Sequence, residues 1–175
     1  MNKGEKYSVK KEIQNAVMLL MTEKSYMDIT VTDIVNKAGV ARASFYRNFD
    51  SIYDVVDSIA EKISDEMMED VFPVISGTNE RKWREFLFNH FYLFMKQHKQ
   101  MEKLRFENLS VIFTELDKKT EQKASLLPVE TINDKYTIVG KLGLINSVTK
   151  KWLDSGTKET PEEMINYIMS FITSF

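Results

Sequence analysis

Residues 30–49, TVTDIVNKAGVARASFYRNF, constrain the fold more than any other part of this 175-residue chain. Thr30 suits the N-cap of a helix, and Asp33 stands three residues later, where its carboxylate can reach back and complete a capping box. Gly39 suits the left-handed position that ends such a helix, and the chain becomes helical again from Arg42. The segment therefore predicts two short helices joined by a glycine turn.

The second of these helices buries one face and leaves the other free. Phe45 and Phe49 are four residues apart, which places them together on the buried face. The residues left for the free face are Arg42, Ala43, Ser44, Tyr46 and Arg47. Two guanidinium groups, a hydroxyl and a phenol suit contact with DNA phosphates and base edges. The pattern therefore predicts a DNA-reading helix–turn–helix.

Composition narrows the fold class to all-α. Glycine and proline are scarce, with six and three residues, and an apolar fraction of 43% is enough for a substantial core. The lack of cysteine excludes disulfides and thiolate metal sites, and it fits a reducing cytoplasm. No apolar run approaches membrane-spanning length, so we expect a cytoplasmic protein with no membrane partner.

Charge is distributed unevenly along the chain. The formal net charge is −2, but residues 1–50 contain eight Lys or Arg and only six Asp or Glu. The other 125 residues contain sixteen basic and twenty acidic side chains. A mildly basic N-terminal part followed by an acidic body suits a DNA-binding end joined to a domain with another role.

Apolar periodicity predicts helices outside the helix–turn–helix as well. Their approximate ranges are 8–23, 51–71, 80–97, 101–107, 109–124, 131–154 and 161–175. Asp50 or Ser51 can cap the helix at 51–71, whose outer acids are interpreted as solvated. Thr160, Pro161 and Glu163 combine an N-cap, a first-turn proline and a capping carboxylate before the last helix.

Pro73 and residues 76–79 interrupt the helical pattern and mark a domain boundary. We therefore predict one domain at residues 1–50, a linking fourth helix at about 51–72, and a second helical domain at 73–175.

Over residues 12–56 this layout resembles the tetracycline-repressor (TetR) family of bacterial transcriptional regulators. The resemblance rests on the spacing of ITVTDIVNKAGVARASFYRNF and on the long helix that follows it. It implies a three-helix DNA-binding domain and a C-terminal helical domain for ligand binding and dimerisation. The DNA-binding residues that it implies are Thr30, Thr32, Arg42, Ala43, Ser44, Tyr46, Arg47 and Asn48.

The resemblance also implies a mechanism. A homodimer formed through the last two helices would bind a palindromic operator in double-stranded DNA, most often as a repressor, and a small-molecule or protein effector would release it. The candidate ligand-lining residues are Met67, Phe72, Trp83, Phe86, His90, Tyr92, Phe106, Phe113 and Tyr136. Aromatic side chains at helical spacing also form ordinary core, and that interpretation stays open for each of them.

Two other classes of function compete with a DNA-binding regulator. An enzyme is disfavoured because the chain has only His90 and His98, no cysteine and no glycine-rich phosphate loop, so we expect no catalytic residue, metal site or cofactor. The alternative is a TetR-like regulator controlled by a protein partner, with weak or no direct DNA binding. Asp50 and Ile52 favour it, since lysines are common at these positions in the family.

Overall fold

The computed structural model of the chain describes residues 3–75, 79–97, 99–126 and 131–173. Over those ranges the fold is all-α, as predicted, with two short 3-10 turns at Tyr26–Asp28 and Lys99–Lys103. The helices are α1 (Lys3–Glu23), α2 (Val31–Ala38), α3 (Arg42–Tyr46), α4 (Ile52–Ile75), α5 (Glu80–Gln97), α6 (Phe106–Ala124), α7 (Ile132–Asp154) and α8 (Pro161–Ile172).

Helix α2 begins and ends where the sequence predicts. Thr30 Oγ1 accepts a hydrogen bond from the Asp33 amide at 3.2 Å, and Asp33 Oδ2 accepts one from the Thr30 amide at 2.8 Å. These reciprocal bonds satisfy backbone donors that a helix start otherwise leaves unpaired, so the predicted capping box is confirmed. At the other end Gly39 has φ +65°, the left-handed conformation for which glycine was expected.

Two further helix starts use the same device. Thr160 and Glu163 form the predicted capping box of α8. At the start of α4, Ser51 Oγ accepts from the Asp54 amide at 3.1 Å, and Asp54 Oδ2 accepts from the Ser51 amide at 2.8 Å. Of the two candidate caps, Ser51 therefore provides the side chain, whereas Asp50 donates its backbone N–H to Asp54 Oδ2.

The predicted start of the first helix and the predicted C-terminal end of the fourth helix were wrong. Helix α1 begins at Lys3 rather than Ser8, and α4 runs to Ile75 rather than Val71, continuing past Pro73. Proline disrupts a helix interior because it lacks an N–H and collides with the carbonyl four residues earlier. Pro73 lies in the last turn of α4, and the helix continues for two residues after it.

The segment between α5 and α6 also differs from its prediction. The helix predicted at 101–107 is wrong: the chain makes the 3-10 turn Lys99–Lys103, and Arg105 is then extended, with φ −65° and ψ 150°. Arg105 is the N-cap of the next helix. Helix α6 therefore begins at Phe106, three residues before the start predicted at residue 109.

The buried apolar side chains form one continuous cluster from α1 to α8. Helix α1 packs against α2 and α4, while α4 packs along α6, α6 along α7 and α5 along α8. The largest fully buried members of the cluster are Trp83, Phe45, Phe91, Phe94, Phe113, Ile13, Met21, Ile34, Ile63, Leu87, Met101 and Leu109. Because α4 contacts both α1 and α6, it connects the N-terminal helices to the rest of the chain.

Helices α4 and α6 are also joined by a ladder of ion pairs. Lys119 Nζ lies 2.8 Å from Asp57 Oδ1 and 3.2 Å from Glu61 Oε2. Lys123 Nζ lies 3.0 Å from Glu61 Oε1 and 2.7 Å from Asp65 Oδ1. The two lysines donate to Glu61 and lower the pKa of its carboxyl, against the effect of its partial burial. The acids predicted to be simply solvated therefore include three that pair with α6.

Candidate nucleic-acid interface

Helix α3 divides into a buried and an exposed face as predicted. Phe45 is completely buried and Phe49 nearly so, with their ring centroids 6.1 Å apart. Arg42, Tyr46 and Arg47 are exposed on the opposite side. The phenylalanines anchor the short helix in the core, which leaves its polar side chains directed at solvent.

Arg42 joins the start of α2 to α3. Its Nη1 donates to Thr32 Oγ1 at 3.1 Å and its Nη2 donates to the Tyr46 hydroxyl at 3.2 Å. The guanidinium also lies over the Tyr46 ring, 5.5 Å from its centroid. The three side chains therefore form one continuous polar surface, although they come from two helices. Their hydrogen bonds are exposed, so each can be exchanged for a bond to a ligand at small net cost.

A second group surrounds Ser44. Arg47 Nη2 donates to Ser44 Oγ at 2.7 Å, which holds the guanidinium along the exposed face. Asn48 Nδ2 donates to the Ser44 carbonyl at 2.7 Å, and the asparagine is half-buried. Asn48 therefore lies against the α3 backbone, whereas Arg47 extends along its surface.

The remaining predicted DNA-binding residues, Thr30 and Ala43, are both exposed. The hydroxyl of Thr30 is engaged in the α2 cap, where it donates to Asp33 Oδ2 at 2.6 Å. Lys24 Nζ lies 2.7 Å from the same carboxylate. The hydrogen bonds from Lys24 and Thr30 lower the pKa of Asp33 from 3.8 to about 2.

The surface of α3 carries unbalanced positive charge. Neither Arg42 nor Arg47 forms an ion pair with a carboxylate in the described part of the chain. Lys10 of α1 lies beside the same helices, with its Nζ 5.6 Å from the centroid of the Phe49 ring. This surface can therefore attract a polyanion.

The candidate ligand-lining residues separate into two groups. Met67, Trp83, Phe86, His90 and Phe113 are buried in the core. Tyr92, Phe106 and Tyr136 are exposed, and the side chain of Phe72 lies outside the described residues, as does His98. The structure therefore brings together only part of the predicted set.

Further polar side chains, which the sequence did not indicate as functional, are buried on α4, α6 and α7. Asn146 Nδ2 donates to Asp117 Oδ1 at 2.7 Å and to Thr120 Oγ1 at 3.3 Å, joining α7 to α6. Ser64 is fully buried on α4, and its hydroxyl makes no hydrogen bond to the described residues. The feature of the sequence that could have indicated this group is Asn146, an asparagine among the apolar residues of α7.

Two contacts link α5 to α7. His90 Nε2 lies 2.9 Å from Thr149 Oγ1, and both residues are buried. Lys141 Nζ lies over the Trp83 ring, 5.1 Å from its centroid, and burial lowers the pKa of this lysine. The interior is therefore aromatic but contains hydrogen-bonding groups from several helices.

No helix in the described ranges has both the length and the apolar character needed to cross a bilayer. In the same ranges, no three His, Asp or Glu side chains are grouped so that they could hold a metal ion.

Comparison with known proteins gives a consistent assignment. Residues 13–59 match the model of the family described as bacterial regulatory proteins, tetR family. No curated protein matches the chain by sequence.

Solved structures share the fold along nearly the whole chain. A TetR transcriptional regulator from Streptococcus agalactiae 2603V is 21% identical, with 96% of this chain and 95% of that chain covered and a TM-score of 0.56. The fatty acid degradation regulator FadR from Bacillus halodurans is 17% identical, with 99% and 97% covered and a TM-score of 0.65.

FadR from Bacillus subtilis, solved in complex with stearoyl-CoA, is 18% identical to this chain. The alignment covers 94% of this chain and 97% of that chain, with a TM-score of 0.59. Identities this low establish the fold, and the family assignment comes from the N-terminal region. Residues 13–59 therefore belong to the tetR family of bacterial regulatory proteins, and the chain along its length has the fold of solved transcriptional regulators.

Proposed function

We propose that this regulator is a homodimeric repressor that binds a palindromic operator and is released by an effector bound in its C-terminal domain. The observation that carries the proposal is the exposed face of α3, where Arg42 and Arg47 lie beside Tyr46 without a carboxylate partner in the described chain. In this proposal residues 1–50 read DNA, α4 links the domains, and the chain from residue 73 binds the effector and dimerises.

The roles of the individual side chains follow from their chemistry. Arg42 and Arg47 have the length and donors to reach base edges in a major groove, and Ser44 adds a hydroxyl beside Arg47. Tyr46 and Thr32 carry single hydroxyls, which suit phosphate contacts that position the helix without reading sequence. We also include Ala43 of α3, Thr30, which caps α2, and Asn48, which follows the end of α3.

A dimer is needed because α3 has only five residues and makes a small contact. Two copies can bind successive major grooves when they are about 34–36 Å apart. The last two helices offer a suitable seam, because they expose apolar and small residues together. These residues are Tyr136, Val139, Gly140, Gly143 and Ser147 on α7 and Tyr167 and Phe171 on α8.

The geometry of this seam supports close packing between two copies. A Cβ atom built at Gly140 or Gly143 would meet nothing within 4 Å, so the α7 surface is open there. The rings of Tyr167 and Phe171 pack edge to face at 5.1 Å on the exposed side of α8. A second copy can bury both features in a four-helix bundle.

The interior of α4 to α7 supports an effector with both apolar and hydrogen-bonding groups. Trp83, Phe86 and Phe113 are buried aromatic side chains, while Asn146 Oδ1 and the Ser64 hydroxyl are buried without a hydrogen-bond partner among the described residues. Leaving such a group unpaired costs about 1–3 kcal/mol, so a ligand that pairs with it is favoured. The stearoyl-CoA complex of B. subtilis FadR supports a small molecule as the class of effector.

The proposal is tested by measuring assembly and DNA binding on the same preparation. Sedimentation analysis should give a dimer, and selection from a random-sequence duplex pool should give an inverted repeat. Binding to the selected duplex should weaken steeply with salt, because phosphate contacts release counterions. A monomer, or a pool with no enriched repeat at low salt, would overturn the proposal.

One observation favours the second candidate, a regulator controlled by a protein partner. Phe88 and Tyr92 are exposed on α5 with their rings stacked at 5.9 Å, and Met95 is exposed one turn further on. Exposed aromatic and methionine side chains are common in protein interfaces. A dimer that binds no duplex at low salt, together with loss of a bound partner in Phe88→Ser, would favour this candidate instead.

A further inference from the structure

Asn108 connects α6 to the N-terminal helices. It lies in the first turn of α6 and is completely buried. Its Nδ2 donates to the Met21 carbonyl at 2.7 Å and to the Lys24 carbonyl at 2.8 Å, and its Oδ1 accepts from the Tyr26 amide at 2.8 Å. All three partners are backbone groups more than eighty residues away in sequence.

These partners belong to the end of α1 and to residues 24–30, which we call the α1–α2 connection. A helix end leaves its last carbonyls without intrahelical partners, and Asn108 satisfies two carbonyls in this region. Both amide hydrogens and the amide oxygen of Asn108 are used. Aspartate cannot donate to the two carbonyls, and an apolar side chain can make none of the bonds, so neither can replace asparagine here without losing hydrogen bonds.

A second bond holds the same α6 to the start of α4. The Tyr53 hydroxyl donates to Glu115 Oε2 at 2.7 Å, and Glu115 lies two turns after Asn108. Burial opposes ionisation of Glu115, but hydrogen bonds from Lys118 and Tyr53 outweigh it and lower the pKa of the carboxyl. Helix α6 is therefore hydrogen-bonded to residues 21–26, which precede α2, and to Tyr53, which follows α3. These two points of attachment flank the helix–turn–helix in the sequence.

The opposite side of α6 faces the body of the protein. Asn146 of α7 bonds to Asp117 and Thr120, and Phe94 of α5 stacks on Phe113 at 6.1 Å. Helix α6 therefore contacts α5 and α7 on this side and the α1–α2 connection, through Asn108, on the other.

We propose that Asn108 is a positioning residue for DNA reading, which couples the orientation of the helix–turn–helix to that of α6. Its connection to DNA rests on the proposed function, whereas the coupling itself can be measured without DNA. Asn108 contacts neither the α3 surface nor the dimer seam described above, so its effect is indirect.

The experiment compares Asn108→Ala with Thr120→Ala by hydrogen exchange and mass spectrometry on the full chain. Thr120 is a matched control, since it is also a buried polar residue of α6, and among the described residues its side chain bonds to α6 and α7. Asn108→Ala should speed exchange of the amides in residues 22–29 by about tenfold or more, because three hydrogen bonds are lost. Thr120→Ala should leave the same amides within about twofold of the parent.

Equal acceleration in both variants would overturn the coupling, because it would mean that exchange follows overall stability. No change in residues 22–29 for Asn108→Ala would overturn it as well. If Asn108→Ala fails to fold, Asn108→Ser is used in the same comparison, because serine keeps one donor and one acceptor.

A second readout follows the helix–turn–helix itself. The chain has no cysteine, so Asn36→Cys places a single spin label on the exposed side of α2 in each subunit. Asn108→Ala should broaden the distribution of distances between the two labels in the dimer, and Thr120→Ala should leave it unchanged. An unchanged distribution in Asn108→Ala would contradict the proposal. Loss of all label–label coupling would instead reveal a monomer, which refutes the proposed dimer while the exchange result still decides the coupling.

Discussion

Replacement of Arg47 by alanine tests the proposed DNA-reading surface most directly. The side chain is exposed, and its guanidinium makes one hydrogen bond to another described residue, from Nη2 to Ser44 Oγ at 2.7 Å. Surface substitutions of this kind change stability by about 0.5 kcal/mol or less. Arg47→Ala should therefore leave both the fold and the dimer intact, so any loss of DNA binding reports on the interface.

The size of the loss depends on what Arg47 contacts. A bidentate contact to a base edge contributes about 1–3 kcal/mol, and a dimer loses two such contacts at once. Because the two copies lie far apart, their contributions add, which gives a loss of about 2–6 kcal/mol. This corresponds to a Kd at least about thirtyfold weaker. A phosphate contact would instead lower the slope of log K against log salt by about 0.9 per copy.

The assay is fluorescence anisotropy with a labelled duplex obtained by selection, measured at several potassium chloride concentrations. Arg81→Ala is the matched control, because Arg81 is also an exposed arginine but lies on α5. It removes the same charge from the chain and should change the Kd by less than about twofold. Sedimentation and thermal unfolding of both variants establish that each remains a folded dimer.

Two results would refute the reasoning. An unchanged Kd and salt slope for Arg47→Ala would show that Arg47 does not contact the duplex. An equal loss in Arg81→Ala would show that the effect comes from overall charge rather than from a contact made by α3.

Tests at four other residues have definite expected outcomes. Tyr46→Phe should weaken binding of all duplexes evenly, and a change in sequence preference on reselection would contradict the phosphate role. Thr30→Ala should lower the free energy of unfolding by about 1 kcal/mol in urea titration, through loss of the α2 cap. Gly39→Ala should cost about 1 kcal/mol by backbone strain alone, since a Cβ there meets nothing within 4 Å, and Gly39→Asn should cost less. The pKa of Asp33 is lowered to about 2, so the ionised carboxylate stabilises the folded state. This contribution to the free energy of unfolding should be complete above pH 3.8, the ordinary pKa, and lost as the pH falls toward 2. Carbon NMR of the Asp33 carboxyl checks this, and a midpoint near 3.8 would contradict it.

The helix–turn–helix could be predicted from the sequence because the interactions that define it are local. The bonds between Thr30 and Asp33 span three residues, and the left-handed conformation of Gly39 is a property of one residue. Phe45 and Phe49 are four residues apart, so a helical period alone places them together. Tertiary packing is compatible with these local conformational preferences and is not needed to produce them.

Predictions failed where local rules compete with packing. Pro73 was expected to end a helix, yet α4 continues to Ile75. The acids of α4 were interpreted as solvated, because a sequence cannot show that Lys119 and Lys123 lie beside them with the same four-residue spacing. The candidate ligand-lining residues include both buried and exposed side chains for a similar reason. Periodicity shows which residues share a face of a helix, but it does not show which neighbouring helix packs against that face.

The sequence by itself determined an all-α chain with a capped helix–turn–helix near its N-terminus and an arginine-bearing helix after the glycine turn. Only the tertiary structure decided how that unit is held: Arg42 bonds to Thr32 across two helices, and Asn108 and Glu115 attach it to α6. The physical reason is the range of the interactions. Caps and turns join residues a few positions apart, whereas these contacts join residues ten to more than eighty positions apart and exist only once the helices have packed.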